Sequence, residues 1–578
     1  MKILVIDAAY CVHKDVETTG IGTLIIYENL LETKNNISIL SDKSLVNCGK
    51  NEIVNYIVNN KYKVICFSTR GDTYPFVLLM SKKLKSKIPD IKIIIGGPQA
   101  TLSAKKTMEK YPSIDLVVKG PGEKLIQSVI TSGFDPKKLA RINNIVYRNN
   151  DLICETEYKK NSCEVKFPIV GFRKYNNKQY IDEIYVEAGR GCTYNCTYCV
   201  TNKVWDKTYF IREPKEILKE IVAVKEVIDF KKVSFVHDNI LSNKKLGKKF
   251  LNEMNKAFPK NLKWTASVRI DLLNNEMIKL LKKAGCSDIY IGLETGSEKM
   301  QKKYNKYINL DKAVDNFINL EKSGINFTVS LIIGHPEEDL DDLFETIYIA
   351  IFLKGLNHCS CVQFHKLAFV YGSALYEKYK NSIVFKKVEI SDQANIILEK
   401  DEELMVENDK DIFSTFYSYD GPMLMDNVFL KRENLEIIVN TYYRCLNTIM
   451  EEIELEDFKK SIIKLLDDRD AFIDWIKSYK NIISEYFDDC LELENLVYEL
   501  MTKSKFEFND LGINKTAKFI KNNSFKLIIW KTKGNVVLYE KITKEKDNIL
   551  NSIAEEKVIK SKKKQRVINN WKNNFLIK

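Results

Sequence analysis

The sequence predicts an α/β protein in three parts. An N-terminal doubly wound domain (1–140) is joined by a linker (141–180) to an incomplete (β/α)6 parallel barrel (181–385), and a mainly helical region (386–578) follows. Three observations carry that prediction. Short apolar runs alternate with helix patterns over the first 120 residues, strand candidates alternate with helices between 182 and 366, and beyond about 385 glycine thins out among long charged helical stretches. Alternating strand and helix periods are the mark of parallel α/β layers.

In the first part the strand candidates are KILVID (2–7), KVICFS (63–68), IKIIIGG (91–97) and IDLVVKG (114–120). Between them, segments such as YPFVLLMSKKLKSK repeat apolar residues at helical spacing with a Lys-rich far side. Doubly wound sheets hold ligands at the carboxyl ends of their strands, which directs attention to the exits GGPQAT (Gly96, Gly97) and KGPGEK (Gly120, Gly122). Taken alone, these glycines read first as turns.

In the second part the strand candidates lie near Ile184, Val233, Lys263, Asp288, Phe327 and Cys361. Helix patterns separate them, one opened by Pro214 and others ended by Gly285 and Gly355. A parallel barrel carries its chemistry on the loops at the carboxyl ends of its strands, so residues just past each strand are the functional candidates. The third part contains a two-strand pattern, FKLIIWKTKGNVVLYEKI, with a Lys-Gly-Asn turn, and ends in the basic run KSKKKQR, which reads as solvated surface.

Composition narrows the class. The 578 residues carry a formal charge of +12 with 45% apolar residues, and the mean hydropathy is −0.25. These values exclude disorder throughout and leave no run long enough to span a membrane. MKILVIDAAY reads as a first strand rather than a signal peptide, so a cytoplasmic address is expected, with no membrane and no nucleic-acid partner. An odd number of cysteines, 13, in a reducing compartment argues against a disulfide framework and for metal or redox chemistry.

The cysteines that cluster are Cys192, Cys196 and Cys199 in GRGCTYNCTYCV, directly after the first barrel strand. Three thiolates at C-x3-C-x2-C spacing can hold three irons of a 4Fe–4S cube and leave the fourth iron open to a ligand. A closed zinc site needs a fourth ligand at close spacing, and none stands there. A second group, His358, Cys359, Cys361 and His365, shares a strand and reads as packing as readily as metal binding.

With an aromatic, Tyr198, just before the last cysteine, the motif resembles the signature of the radical SAM enzymes. The likeness covers roughly 180–380 through VSFVHDN (233–239), WTASVRID (264–271), KKAGCSDIYIGLETGSE (282–298), VSLIIGHPEEDLDDLFETI (329–347) and LAFVYGSALYEKY (367–379). The resemblance implies a 4Fe–4S cluster, reductive cleavage of S-adenosylmethionine (SAM) to a 5′-deoxyadenosyl radical, and Tyr198, Asp238, Ser267, Arg269 and Glu294 as SAM-facing residues. His237 stands where the family often has an acid, and Tyr371-Gly372-Ser373 replaces a usual Pro-Gly-Thr, which makes His237 and Tyr371 the candidates for catalytic roles of this chain's own.

The first part resembles the flavodoxin-like cobalamin-binding domain that precedes the barrel in a branch of that family, through CFSTRGDTYP, IKIIIGGPQATLSA and IDLVVKGPGEKLIQSVI. The resemblance implies a cobalamin held by Ser68, Thr69, Gly96, Gly97 and Gln99. The Asp-x-His-x-x-Gly phrase that supplies a histidine to cobalt is missing, and His13 has the wrong offset, so cobalamin is expected to bind without a protein histidine. Cys11 and Cys48 lack a third partner at comparable distance, which argues against the second cluster of methylthiotransferases.

The function expected from these resemblances is cobalamin-dependent methylation of an unreactive carbon in a peptide or small natural-product precursor, with an electron donor such as flavodoxin or ferredoxin. The alternatives are a cobalamin-independent peptide epimerase or bond-forming maturase, and a non-catalytic iron–sulfur protein. The helical C-terminal region is the expected carrier of substrate specificity.

Overall fold

The computed structural model describes residues 1–13, 20–159, 180–226, 228–258, 262–386, 398–420, 432–465, 469–479, 517–519, 526–532 and 535–541. The chain forms two compact units, one of Met1–Tyr290, Lys303–Lys306 and Lys366–Pro422, the other of Ile291–Lys302, Tyr307–His365 and Met423–Lys578.

The first unit opens with a seven-stranded sheet. Its strands are β1 (Lys2–Asp7), β2 (Asn36–Ile39), β3 (Val64–Ser68), β4 (Lys92–Gly96), β5 (Leu116–Val118), β6 (Ile145–Asn149) and β7 (Leu152–Glu155), in the order β2-β1-β3-β4-β5-β6-β7. The first five pair in parallel. Ile3–Ile6, Val64–Phe67 and Ile93–Ile95 are buried without a break, as strands covered by helices on both faces must be. Strand order reverses at β1 and β3, the kind of switch point where a crevice opens beyond the carboxyl ends.

The stretch expected to be linker departs from that expectation, because β6 and β7 extend this sheet as an antiparallel pair. The cause is local: Asn150 takes a left-handed φ of 53°, which asparagine tolerates, and so closes a hairpin between two short strands.

The barrel strands β8 (Tyr180–Glu187), β11 (Asp229–Val236) and β12 (Lys263–Val268) lie in the first unit, with parallel pairing of β11 to both neighbours. The short strands β9 (Gly189–Arg190) and β10 (Phe210–Ile211) pair antiparallel between β8 and β11 in sequence. β13 (Cys286–Glu294) begins in the first unit and ends in the second, where β14 (Asn326–Ile333) and β15 (Cys359–Lys366) follow, apart from the last residue of β15. The strand order β15-β14-β13-β12-β11-β8 is consecutive, the order that βα repeats build. All of the expected barrel strands are present.

Two of the helices between these strands bury one apolar stripe each. Pro214–Lys225 starts with proline and buries Ile217, Ile221 and Val224. Lys244–Ala257 is capped by the Asn243 side chain on the Leu246 N–H and buries Phe250, Leu251 and Met254. Beyond the barrel, β16 (Ile383–Phe385) pairs with β17 (Tyr417–Tyr419), and the segment before β17 grips the helix Pro98–Lys110. Lys106 pairs with Asp411 and Lys110 with Asp409, each at 2.6 Å, while the Phe413 ring meets Tyr74 and Tyr111 edge-on.

In the second unit the helix Arg432–Glu452 covers β15 and completes its hydrogen bonding. Asn440 Oδ1 accepts the Val362 N–H at 2.9 Å, its Nδ2 donates to the Val362 carbonyl at 2.6 Å, and Glu436 accepts the Phe364 N–H at 2.8 Å. Two side chains one helical turn apart thus do for this strand what a further strand would do. Further along, β18 (Ala517–Phe519), β19 (Lys526–Thr532) and β20 (Asn535–Lys541) form an antiparallel sheet, in which β19 and β20 are the expected two-strand pattern. The basic run KSKKKQR lies outside the described residues.

Candidate functional site

A cavity of about 870 Å³ opens at the carboxyl ends of β1, β3, β4 and β5, all within the first unit. Four of the five residues expected to hold cobalamin line it: Ser68, Thr69, Gly96 and Gly97. Gly97 has φ of 107°, and a Cβ there would stand 2.2 Å from the Thr69 carbonyl oxygen, so the two strand exits approach closely only because this residue is glycine. The cradle and its volume fit a large planar cofactor carrying a nucleotide tail. Gln99 is not brought to the cavity. Its Nε2 donates to the Ile412 carbonyl at 2.9 Å, fixing the segment that grips its helix.

The cavity continues to the barrel strands, where Glu183, Tyr185, Val236, His237 and Asp238 line it. His237 is the one histidine among the described lining residues. Its Nε2–H donates to the Phe210 carbonyl and its Nδ1 accepts the Asn239 N–H, both at 3.1 Å, so both ring nitrogens are engaged. Burial lowers its pKa to about 4 and keeps the ring neutral. This arrangement positions the ring and leaves neither nitrogen for proton transfer. His13 lies apart, with Nε2 2.9 Å from both Asp72 and Arg70. Tyr371, the other catalytic candidate, is not among the lining residues; its ring packs on Tyr376 at 5.2 Å with the Lys106 ammonium 5.3 Å away.

The cysteine loop leaves β9 at the edge of this cavity. Gly191 has φ of 89°, and a Cβ there would run into the Thr208 carbonyl. Its N–H donates to Asp238 at 2.7 Å, and Thr201, beyond Cys199, donates its hydroxyl to the same carboxylate at 3.3 Å. Asp238, expected to hold the SAM amino group, is thus engaged with the loop itself. Arg190, two residues before Cys192, is buried between Glu187 and Glu123 and lies over the Trp205 ring at 4.9 Å. All four residues also line the cavity.

The loop is held from the far side by residues 303–306. The Thr197 N–H donates to the Tyr304 carbonyl at 3.0 Å, Asn305 Nδ2 donates to the Asn195 carbonyl at 2.7 Å, and the Tyr198 ring meets Tyr304 edge-on at 5.5 Å. Arg269, expected to face SAM, instead lies on the loop. Its guanidinium is 3.8 Å from the centre of the Tyr194 ring, its Nη1 is 3.8 Å from the Cys196 sulfur, and Asp271 holds it with two bonds of 3.0 Å.

The thiols of Cys192, Cys196 and Cys199 lie within electrostatic reach of one another. Burial raises Cys192 and Cys196, while Lys306 and Arg269 pull Cys196 back down. Among the described residues no three His, Cys, Asp or Glu side chains are placed to hold a single metal ion. A cube asks for something different, since each cysteine binds a different iron and the sulfurs stand further apart. Three neighbouring thiols without a fourth ligand fit such a cluster.

Two further SAM candidates are placed as follows. Ser267 is half-buried on β12, and its carbonyl accepts the Ile240 N–H at 3.3 Å. Glu294 belongs to the second unit, where it ends β13 buried, with a left-handed φ of 72°. A non-glycine residue held in that region is strained, and such residues concentrate at functional sites. The reading from sequence missed Arg190, Glu123, Trp205 and Lys306. Arg190 had a local signal, a charge at a strand end inside GRGC, whereas Lys306 sits in KKYNKY and looks like ordinary surface.

No described helix is long and apolar enough to cross a membrane. The B12 binding domain family matches residues 17–130 and the Radical SAM superfamily matches residues 186–347. Among characterised and uncharacterised relatives, an uncharacterized methyltransferase of Pyrococcus horikoshii is 25% identical over 277 residues, covering 47% of this chain and 60% of that protein. Bacteriochlorophyllide d C-12(1)-methyltransferase of Chlorobaculum tepidum is 30% identical over 175 residues, covering 30% of this chain and 38% of that one. The chain therefore spans less than two thirds of either relative. Of solved structures, the radical SAM methyltransferase TsrM of Kitasatospora setae superposes with a TM-score of 0.55 at 16% identity, covering 73% of this chain and 86% of that one. The cobalamin-dependent SAM radical enzyme OxsB gives 0.54 at 15%, covering 86% and 79%. At these identities the likeness shows the fold. The radical SAM domain implies a 4Fe–4S cluster and SAM, and the B12-binding domain implies cobalamin. Cysteine triad, glycine cradle and matched domains agree: residues 17–130 match the B12 binding domain family, and residues 186–347, which hold the cysteine triad, match the Radical SAM superfamily.

Proposed function

We propose that this chain methylates an unreactive carbon of a peptide or other natural-product precursor. The observation that carries the reading is continuity: one cavity is lined by Gly96 and Gly97 at one side and by His237 and Asp238 at the other, and Asp238 holds the residue before Cys192. Methyltransferase names among the relatives support it, as does the description of TsrM with a tryptophan substrate and a SAM analogue.

When bound, the cluster and SAM supply a 5′-deoxyadenosyl radical and cobalamin supplies a methyl carrier. The chain's own residues bind and orient. Cys192, Cys196 and Cys199 would hold three irons, and the exits of β3 and β4 would take the cobalamin tail against backbone. Tyr185 and Val236 are 49% and 40% exposed and line the cavity from the barrel strands, a surface suited to an apolar part of a substrate. Fixed placement of the reacting groups is the protein's main contribution to such chemistry. An outside donor such as flavodoxin or ferredoxin would deliver the electron.

The test is anaerobic purification with iron, sulfide and hydroxocobalamin, then incubation with SAM and a reductant. Retained cobalamin with both 5′-deoxyadenosine and S-adenosylhomocysteine is the expected result. Deoxyadenosine without S-adenosylhomocysteine would point to hydrogen abstraction alone, as in an epimerase or maturase. Neither product from a cluster-loaded chain would leave an iron–sulfur binding protein.

A further inference from the structure

Cys196 differs from its two neighbours in what surrounds its sulfur. Arg269 brings Nη1 to 3.8 Å, and the Tyr198 hydroxyl hydrogen-bonds the same sulfur. Behind Tyr198 stands Lys306, with Nζ 3.4 Å from the Tyr198 oxygen and the whole residue only 6% exposed. The two cations are tied to each other, because Arg269 Nη2 donates to the Lys306 carbonyl at 2.7 Å. Cys199, by contrast, lies against neutral groups, the Thr201 hydroxyl at 3.2 Å and the Thr201 N–H at 3.5 Å.

Burying an ammonium group costs desolvation free energy, so a fold that places one here gains only if negative charge stands nearby. Cysteine sulfurs carrying a cluster would add such charge on the Tyr198 side of Lys306. Hydrogen bonds and charges at the sulfurs are also among the means by which a protein sets the potential of an iron–sulfur cluster.

We propose that Lys306 is a positioning residue for the cluster: acting through the Tyr198 hydroxyl and alongside Arg269, it places positive charge against the Cys196 sulfur and raises the potential at which a 4Fe–4S cube on these cysteines accepts an electron. The inference rests on the cluster reading of Cys192, Cys196 and Cys199. The step is the uptake of one electron from a low-potential one-electron donor, with no bond made or broken and no proton moved. The cube gains one negative charge, and a fixed cation stabilises the reduced form more than the oxidised one.

Wild type, Lys306→Met, Lys306→Arg and Tyr198→Phe are reconstituted anaerobically with iron and sulfide, and their iron and sulfide are counted. The midpoint potential is then read from the paramagnetic resonance of the reduced cluster during titration with dithionite, without SAM. The expected result is equal iron content, a potential shifted downward in Lys306→Met and Tyr198→Phe, and a value near wild type in Lys306→Arg. An unchanged potential in Lys306→Met overturns the proposal, and so does a shift in Lys306→Arg as large as that in Lys306→Met. Should Lys306→Met fail to hold iron, Tyr198→Phe decides, a lowered potential supporting the relay and an unchanged one overturning it. A wild-type chain without the cluster signal overturns both this inference and the cluster reading.

Discussion

Asp238 grips the cysteine loop at both ends: one carboxylate oxygen accepts the Gly191 N–H at 2.7 Å just before Cys192, and the other receives the Thr201 hydroxyl at 3.3 Å just after Cys199. A single side chain on the barrel therefore sets the span within which three sulfurs must meet the irons. Asp238→Ala removes both bonds, and hydrogen bonds to a charged group contribute about 1.5–3 kcal/mol. Iron retention after gel filtration should fall by roughly 10- to 100-fold in Asp238→Ala. Asp238→Asn keeps one acceptor for Gly191 and should lose less. Full iron content in Asp238→Ala would show that the loop holds its shape without this carboxylate.

Cys196→Ala should abolish both the visible absorbance of the cluster and SAM cleavage, because a cube held by two cysteines has no third iron anchored to protein. Chromatographic detection of 5′-deoxyadenosine is the measurement, and cleavage at the wild-type rate would remove the cluster from these cysteines.

Gly97→Ala should weaken cobalamin binding. The new Cβ would meet the Thr69 carbonyl at 2.2 Å in a backbone conformation of φ 107°, so β3 and β4 must part. Strain of this kind costs on the order of 1–3 kcal/mol, or about 5- to 150-fold in affinity. Titration of the reconstituted chain with hydroxocobalamin, followed by its visible spectrum, reads the change, and unaltered affinity would place the cofactor elsewhere.

Acidification should destabilise the first unit through His237. Burial lowers its pKa from 6.5 to about 4, so the unfolded chain takes up a proton at a higher pH than the folded one. The stability tied to the neutral ring is intact above pH 6.5 and is lost as pH falls toward 4. Between pH 7 and 5 that loss is on the order of 2 kcal/mol. Urea unfolding at the two pH values should show a smaller drop in His237→Gln than in wild type, and equal drops would refute the assignment.

What could be read from the sequence was local. β1, β3 and β4 announce themselves as unbroken apolar runs ending in small or polar residues, and the cysteine triad fits inside eight residues. The site's supports are long-range. Arg190 and Glu123 are 67 positions apart, Lys306 and Tyr198 are 108 apart, and Gln99 and Ile412 are 313 apart. No window of sequence holds both members of such a pair, so Gln99 read as a cofactor ligand and Lys306 drew no assignment. The hairpin of β6 and β7 is a different case. NND between the apolar runs IVY and LIC is a local turn signal, so this hairpin was within reach of the sequence.

The two bonds between Asn440 and Val362, with that of Glu436 to Phe364, also determine where the chain tolerates being shortened. A version trimmed to its cofactor domains, ending near residue 420, would lose the helix Arg432–Glu452 and leave the amides of β15 facing water or one another. Uncovered strands of that sort recruit copies of themselves. The helix is a solubility element of the barrel, and efforts to obtain a minimal catalytic fragment must carry it along.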